Sequence, residues 1–490
     1  YRYLASRVEI AYLLLSGRSS RLRKMSQLEK LQGSALQIEE PRVVSGWGRT
    51  PRSLGRTLRV DGQSTEEKEE RLLEALSDKA LLAVVPRGLG RSYGDSATLA
   101  AGLLSDPEDW KNTFELDPHS STLEVSSGFS LDEIMRKVVP RGFFVPVTPG
   151  TRYVTVGGAI ASDIHGKNHH VEGSFAKHVR SMTLVSPTGI KNLSQDDNEF
   201  KATAGGMGLT GFVSKAVINL VPIRTSKVFV TTKVTKDLAE TVEELKTNDS
   251  RYRYSVAWID CMAKGGALGR SVITWGEHLE DHDLRSGEDP LHFDPKFVAS
   301  IPDIAPSWLL NKFSVRVFNE LWYRKGKLAK ETSIESIETF FHPLDMVGDW
   351  NRLYGQKGFL QYQFVIPFEA EATLERIVKV LSDAAVPSFL AVLKRFGPES
   401  GNYMSFPKPG WTLALDIPAH RFGLGEMLDA LDAMVVAEGG RVYLAKDSRV
   451  SKELIAIMYP ELKRFQETAE ALDPNFIFQS DMSRRLGLRG

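Results

Sequence analysis

The chain has 490 residues, long for one hydrophobic core, so two or more domains are expected. Its 62 basic and 62 acidic side chains cancel, which argues against a nucleic-acid binder, and 42% hydrophobic residues is ordinary for a globular protein. Cys261 is the only cysteine, so an internal disulfide and a cysteine-built zinc or iron–sulfur site are excluded. At the beginning of the chain, Ile10 to Leu15 is apolar and is followed by Arg18, Arg21, Arg23 and Lys24. This run is far short of the ~20 apolar residues that span a bilayer. It is read as a frayed extension or a misplaced start, because a cleaved signal peptide carries its charge before the apolar run. A basic anchor to anionic lipid is the second reading.

From Arg42 to about Ile223, β-branched runs broken by glycine alternate with helical stretches such as Thr65 to Leu76, an α+β or α/β texture. Strands are expected at Leu81 to Val85, Leu123 to Val125, Phe143 to Val147 and Phe212 to Val221. The first expected strand leads into Pro86-Arg87-Gly88-Leu89-Gly90-Arg91-Ser92-Tyr93-Gly94-Asp95, whose glycines let a backbone approach phosphate closely. Its G-x-G-x-x-x-G spacing is not the Rossmann fingerprint. A longer cluster follows: Pro149-Gly150-Thr151-Arg152, Thr155 to Ile160, and Asp163 to His170. Two such clusters about sixty residues apart, each after an apolar strand, suit a pyrophosphate wrapped by backbone donors. Gly206, Gly208 and Gly211 formally match G-x-G-x-x-G, but a strand-like run follows where that motif requires a helix, so no nicotinamide site is expected. His165 and His169 are four apart, yet Gly166 and Asn168 disfavour a helix between them. They are read as loop histidines that line a ligand, with no metal.

Residues 226–440 have a different texture, with apolar strands such as Phe359 to Ile366 and Ser388 to Leu393 between long helices. Gly276 to Pro290, with six acids, and the basic stretch Arg324 to Glu331 are read as solvated loops, with active-site lids as the second reading. Alternation puts Gln361 and Gln363 on one strand face. If that face is internal, a polyhydroxy ligand would satisfy them; a solvent-facing strand is the equal alternative. Lys394 ends the run Phe389 to Leu393, and Lys446 follows the strand-like Arg441 to Ala445. Each is read as a snorkelling surface lysine or as a binding residue at a strand end.

The strings GLGRSYGD, PGTRYVTVGGAIASDIHGKNHH, GGMGLTG, ELWYRKGK, FHPLDM, FLQYQFVIP and LAKDSR resemble the decaprenylphosphoryl-β-D-ribose 2′-oxidase family. That family is the flavoprotein half of the epimerase making the arabinose donor of mycobacterial and corynebacterial cell walls. It falls within the vanillyl-alcohol-oxidase (PCMH) type of FAD enzymes. The resemblance runs from Gly46 to Arg485. It implies an α+β fold in which residues 42–225 and 441–490 form a two-part FAD domain. Residues 226–440 would be an inserted antiparallel-sheet substrate domain, and 1–41 a poorly ordered extension.

The resemblance also implies site residues. FAD would contact Pro86, Arg87, Gly88, Leu89, Gly90, Arg91, Ser92, Tyr93, Gly94, Asp95 and Ser96. Further contacts would be Gly150, Thr155, Val156, Gly157, Gly158, His165, Gly166, Lys167, Asn168, Val213 and Tyr443. The FAD would be non-covalent, because Arg91 stands where related carbohydrate oxidases often carry a linking histidine. Trp258, Tyr323, Gln361, Gln363 and Lys394 would line the substrate pocket. Lys446 would be catalytic, either favouring negative charge on the reduced flavin or helping to deprotonate the 2′-hydroxyl. The implied reaction oxidises the ribose C2′ hydroxyl to a ketone. An NADH-dependent reductase would complete the epimerisation, and a quinone or oxygen would take the electrons. The setting would be the cell envelope, at the periplasmic face of the inner membrane, with peripheral membrane contact. The rivals are an FAD-dependent oxidase of a free sugar or aldonolactone, and a non-catalytic FAD-fold binding protein. Three positions depart from the family pattern: Ser162 and Ala414 stand where relatives carry cysteine, and Thr412 stands for a common asparagine.

Overall fold

The computed structural model describes residues 36–77, 81–280, 287–306 and 308–489. Three larger sheets organise them. In the first, Leu36–Ile38, Arg52–Val60, Leu103–Ser105 and Val84–Val85 lie side by side, with Arg42–Ser45 also paired to Arg52–Val60. Leu103–Ser105 runs parallel to both Arg52–Val60 and Val84–Val85. Parallel strands need a crossover, and helix Thr65–Ser77, burying Leu72, Ala75 and Leu76, lies within it. The second sheet is antiparallel, in the order Gly189–Ser194, Val179–Ser186, Phe212–Asn219, Thr122–Ser126, Phe114–Asp117.

The third sheet has eight antiparallel strands: Thr332–Ser336, Lys227–Thr235, Ser271–His278, Tyr254–Ile259, Ala391–Phe396, Gly410–Pro418, Phe359–Ile366 and Arg441–Val442. Its register sorts side chains between two faces. Phe364, Leu413, Leu393, Ala257 and Ile273 are cross-strand neighbours in one row. They are buried with residues of helices Glu371–Asp383 and Leu424–Ala437. On the opposite face, Gln363, Ala414, Val392, Trp258 and Val272 form the corresponding row. Gln361 pairs with Asp416 and Lys394 with Thr412, so these four share that second face. One face is therefore a hydrophobic core and the other a polar wall.

After Val442 the chain leaves this sheet and returns to the first. Val84 bridges Phe478, and Asp481 accepts hydrogen bonds from the Thr98 hydroxyl and the Ala100 amide.

Local structure departs from the sequence reading at several points. Leu36–Ile38, inside the stretch expected to be poorly ordered, is a strand on Leu58 to Val60 with Leu36 buried. The basic cluster Arg18 to Lys24 lies outside the described residues. The run Phe143 to Val147 is strand only at Phe143–Phe144, and Pro146 has no amide to extend a ladder. Arg324 to Leu328 is not a loop but the end of helix Lys312–Leu328. Val315, Asn319 and Tyr323, at i, i+4, i+8, bury one side of that helix. Gly326 lets it sit close to Val272, where a Cβ would come within 2.7 Å. In the acidic stretch, Gly276 to His278 belongs to a strand and 281–286 lie outside the described residues. Lys394 lies within its strand, not after it, and the strand expected over Arg441 to Ala445 stops at Val442.

Candidate active site

The Val84–Val85 strand ends at Pro86, which packs on Gly208, and the chain enters the first glycine loop. Arg87 holds the loop from inside, donating to the carbonyls of Ala97 at 2.6 Å and Ser45 at 2.9 Å. Burial draws its pKa down to about 10. Gly90 has φ of 67°, a left-handed conformation that favours glycine, and Leu89 is exposed beside it. The amides of Gly88 to Ser92 donate to no group among the described residues. Such a run of free amides forms an anion-binding concavity.

The second glycine cluster touches the first. A Cβ on Gly88 would lie 2.3 Å from the Thr155 hydroxyl. Thr155 caps helix Val156–Ala161, accepting the Gly158 amide at 3.1 Å, with Val156 buried and Gly157 packed on Ser127. A Cβ at Gly150 would meet nothing within 4 Å. The two loops thus form one backbone cradle.

The far end of the first loop meets the returning chain. The Tyr93 amide donates to the Ala445 carbonyl at 2.9 Å, and Gly94 presses on the Asp447 carbonyl so closely that no Cβ fits. Asp95 accepts Nε and Nη2 of Arg485, both at 2.9 Å, with Ser96 buried next to it. The Lys446 ammonium lies 3.8 Å from the centre of the Tyr93 ring, which packs edge-on against Phe359.

The polar sheet face closes the site. Gln361 donates to Asp416 Oδ1 at 2.6 Å, and the second oxygen, Oδ2, of that fully buried acid has no partner among the described residues. Gln363 lies 2.9 Å from His165 Nε2 and 3.3 Å from the Thr412 hydroxyl. With Gln363 donating, the His165 proton sits on Nδ1, which is buried and unpartnered. The ring packs against Phe396 and Tyr443, and burial holds it well below the usual histidine pKa, hence neutral. Tyr443 spends its hydroxyl on the Ser162 carbonyl at 2.8 Å. The Lys394 ammonium is 3.5 Å from the Gly166 carbonyl, and burial brings its pKa to about 8. Lys446 is lowered by burial, opposed by Asp416 and reinforced by Lys394, while burial pushes Asp416 well up. The wall therefore holds two lysines and an acid whose charged forms are all disfavoured by burial.

The other expected residues make contacts of their own. The Lys167 ammonium donates to the Phe340 carbonyl at 2.6 Å and lies 3.9 Å from that residue's ring centre, with its pKa drawn down to about 7 by burial. Asn168 is tied to the Pro146 carbonyl, and Val213 is buried in the second sheet's core. Trp258 and Tyr323 pack together on the outer part of the polar face. Their polar atoms are committed to the carbonyls of Phe389 and Thr235, both at 3.1 Å. Three residues escaped the sequence reading. Asp416 left a signal, as the one acid in the apolar run Trp411 to Pro418. Asp447 lies in the quoted LAKDSR string, but its pairing with Arg485 left no signal, because it spans 38 residues.

Residues 64–194 match the family described as an FAD binding domain. The chain is 41% identical over 452 residues to the decaprenylphosphoryl-β-D-ribose oxidase of Mycolicibacterium smegmatis, covering 91% of this chain and 97% of that one. The chain belongs to that family. An uncharacterised protein from the mprA 5′ region of Streptomyces coelicolor is 35% identical over 369 residues, 73% of this chain and 100% of its own length. L-gulonolactone oxidase 3 of Arabidopsis thaliana is 29% identical over 147 residues, only 25% of that protein. As a member of the decaprenylphosphoryl-ribose oxidase family, the chain is an FAD-dependent oxidoreductase. Its geometry fits the cofactor: free amides at Gly88 to Ser92, open space at Gly150, and unpartnered buried nitrogens at His165 Nδ1 and Arg91 Nε.

Proposed function

We propose that the protein oxidises the C2′ hydroxyl of decaprenylphosphoryl-β-D-ribose to the 2′-ketone, with Lys446 taking the hydroxyl proton. The observation that carries this reading is the sheet face on which Gln361, Gln363, Lys394 and Asp416 converge, with Lys446 over Tyr93 beside it. FAD, when bound in the cradle, supplies the acceptor for the C2′ hydride. Lys446 is neutral in a useful fraction near neutral pH because burial disfavours its ammonium, and only the neutral amine accepts a proton. Once protonated, it is favoured by Asp416. Gln361 and Gln363 are fixed by Asp416 and His165, so their remaining amide atoms are preorganised for sugar hydroxyls. Lys394 offers a cation to a phosphoryl or hydroxyl oxygen. Trp258 and Tyr323 wall the outer end, where an apolar chain would leave.

A keto-sugar reductase using NADH would follow, with a quinone or oxygen reoxidising the cofactor. The setting proposed is the periplasmic face of the inner membrane, in the supply of arabinose for cell-wall arabinan. No described helix is long and apolar enough to cross a membrane. The test is anaerobic mixing of the purified protein with a polyprenyl-phosphoribose while flavin absorbance is followed. Bleaching is expected. Bleaching by L-gulonolactone instead would favour a free-sugar oxidase, and no bleaching by either would favour a binding protein.

A further inference from the structure

Helix Lys312–Leu328 is apolar on two opposite sides. Val315 and Tyr323 lie on its buried side. The other side carries Phe313, Val317, Leu321 and Leu328, at i, i+4, i+8 and i+15, with exposures of 77, 43, 62 and 87%. A helix with two apolar stripes calls for an apolar partner on each, yet here the second stripe faces outward. The preceding segment adds Ile304 and Trp308, 85 and 70% exposed. Exposed apolar side chains gathered in this way mark an interaction site.

Charge selects the occupant. Between residues 308 and 330, Lys312, Arg316, Arg324, Lys325, Lys327 and Lys330 face a single acid, Glu320, in a chain whose net charge is zero. Glu320 is already bound by Arg270 and Arg324. A second copy would bring the same cations against this face. An anionic bilayer complements both features: the apolar stripe enters the acyl boundary, Trp308 sits at head-group level, and the cations meet lipid phosphates. We propose that this helix lies in the plane of an anionic lipid surface and docks the protein there. Through Tyr323 and Trp258 its inner side adjoins the sheet face that carries Gln361, Gln363 and Lys394. Docking therefore sets the site beside the bilayer that would hold a polyprenyl substrate. That last consequence rests on the proposed substrate, whereas the docking does not.

The test is co-sedimentation of the FAD-loaded protein with phosphatidylcholine vesicles, with and without phosphatidylglycerol, at low and high salt. Anionic lipid should raise binding roughly tenfold, and high salt should remove most of the gain. The double variants Phe313→Ser, Leu321→Ser and Lys312→Glu, Arg316→Glu should each lose roughly tenfold in binding. Both should keep wild-type FAD content and turnover of a short-chain, water-soluble substrate. Equal binding to both vesicle types, or variants that bind like wild type, overturns the proposal. So does a wild-type dimer by light scattering that Leu321→Ser dissolves while vesicle binding is absent. Vesicle binding needs no substrate, so its failure is separate from failure of the substrate reading.

Discussion

Arg485 donates Nη2 to Asp447 Oδ2 at 2.8 Å while its fork holds Asp95 at 2.9 Å, so one guanidinium joins the first glycine loop to the segment bearing Lys446. Both carboxylates are nearly inaccessible, with side-chain exposures of 5 and 6%. Arg485→Met leaves two buried acids unpaired and should cost about 3–5 kcal/mol. Flavin content should fall with it. Arg485→Lys should recover only part, because an ammonium does not reproduce the fork. Denaturant midpoints and FAD per chain measure this; a wild-type midpoint in the methionine variant would dismiss the clamp.

Lys446→Ala should retain the fold and FAD and lose about 10²–10⁴-fold in turnover. The rate should rise with pH, since only the neutral amine takes a proton. Burial places that limb well below the ordinary lysine value of 10.5. Lys446→Arg, protonated throughout, should be as slow as the alanine variant. Anaerobic flavin reduction near the wild-type rate in either variant would remove Lys446 from the proton transfer.

Lys394→Met should be more stable than wild type at neutral pH, though poorer in substrate binding. Burial brings the Lys394 pKa down to about 8 in the fold from an ordinary 10.5. Below pH 8 both states hold the proton and the fold bears the full cost of a buried ammonium. Between these values the unfolded chain binds more protons, so wild-type stability rises with pH. Above 10.5 both are neutral and the cost is gone. The gain should be about 1–3 kcal/mol at pH 7 and shrink toward pH 10.5. Urea melts at pH 7 and pH 10 test it, and a pH-independent difference would refute the cause given.

The native protein should resist thiol reagents. Cys261 is fully buried in the core cluster of the apolar sheet face, and burial beside Asp260 pushes its thiol far up, away from the reactive thiolate. Ala414 shares the polar face with Gln363 and Val392. Ala414→Cys should therefore gain one adduct with a small electrophile and lose activity on labelling. Intact mass before and after treatment reads both; an adduct on the wild type would contradict the burial argument.

Acid precipitation should release all the flavin. Arg91 stacks its guanidinium 3.9 Å from the Trp47 ring centre and offers no group for a covalent bond at the position where a linking histidine would stand. Yellow colour retained in the pellet would count against this.

Much of the local architecture was legible because it is short-range. Period-two alternation put Gln361 and Gln363 on one face, and the β-branched run after Gly211 excluded a Rossmann turn because a strand follows, Phe212–Asn219. What the sequence withheld was long-range or competitive. Nothing near Gln361 reveals that Asp416, 55 residues on, takes its amide. The charged end of Lys312–Leu328 reads as a loop because exposed cations outnumber the few buried positions that hold the helix down. Nor does anything near Lys167 reveal that its ammonium meets the carbonyl and ring of Phe340, 173 residues on.

The bridge between Val84 and Phe478, with Arg485 seven residues farther on, bears on how the protein is made. A ribosome delivers the first glycine loop nearly four hundred residues before the arginine that braces it. Vectorial synthesis completes early segments first, so the nucleotide cradle emerges without its buttress and waits for the stretch from Phe478 to Arg485. Capture of the cofactor should then wait for that stretch. Ribosome-stalled chains ending before residue 477 should be colourless.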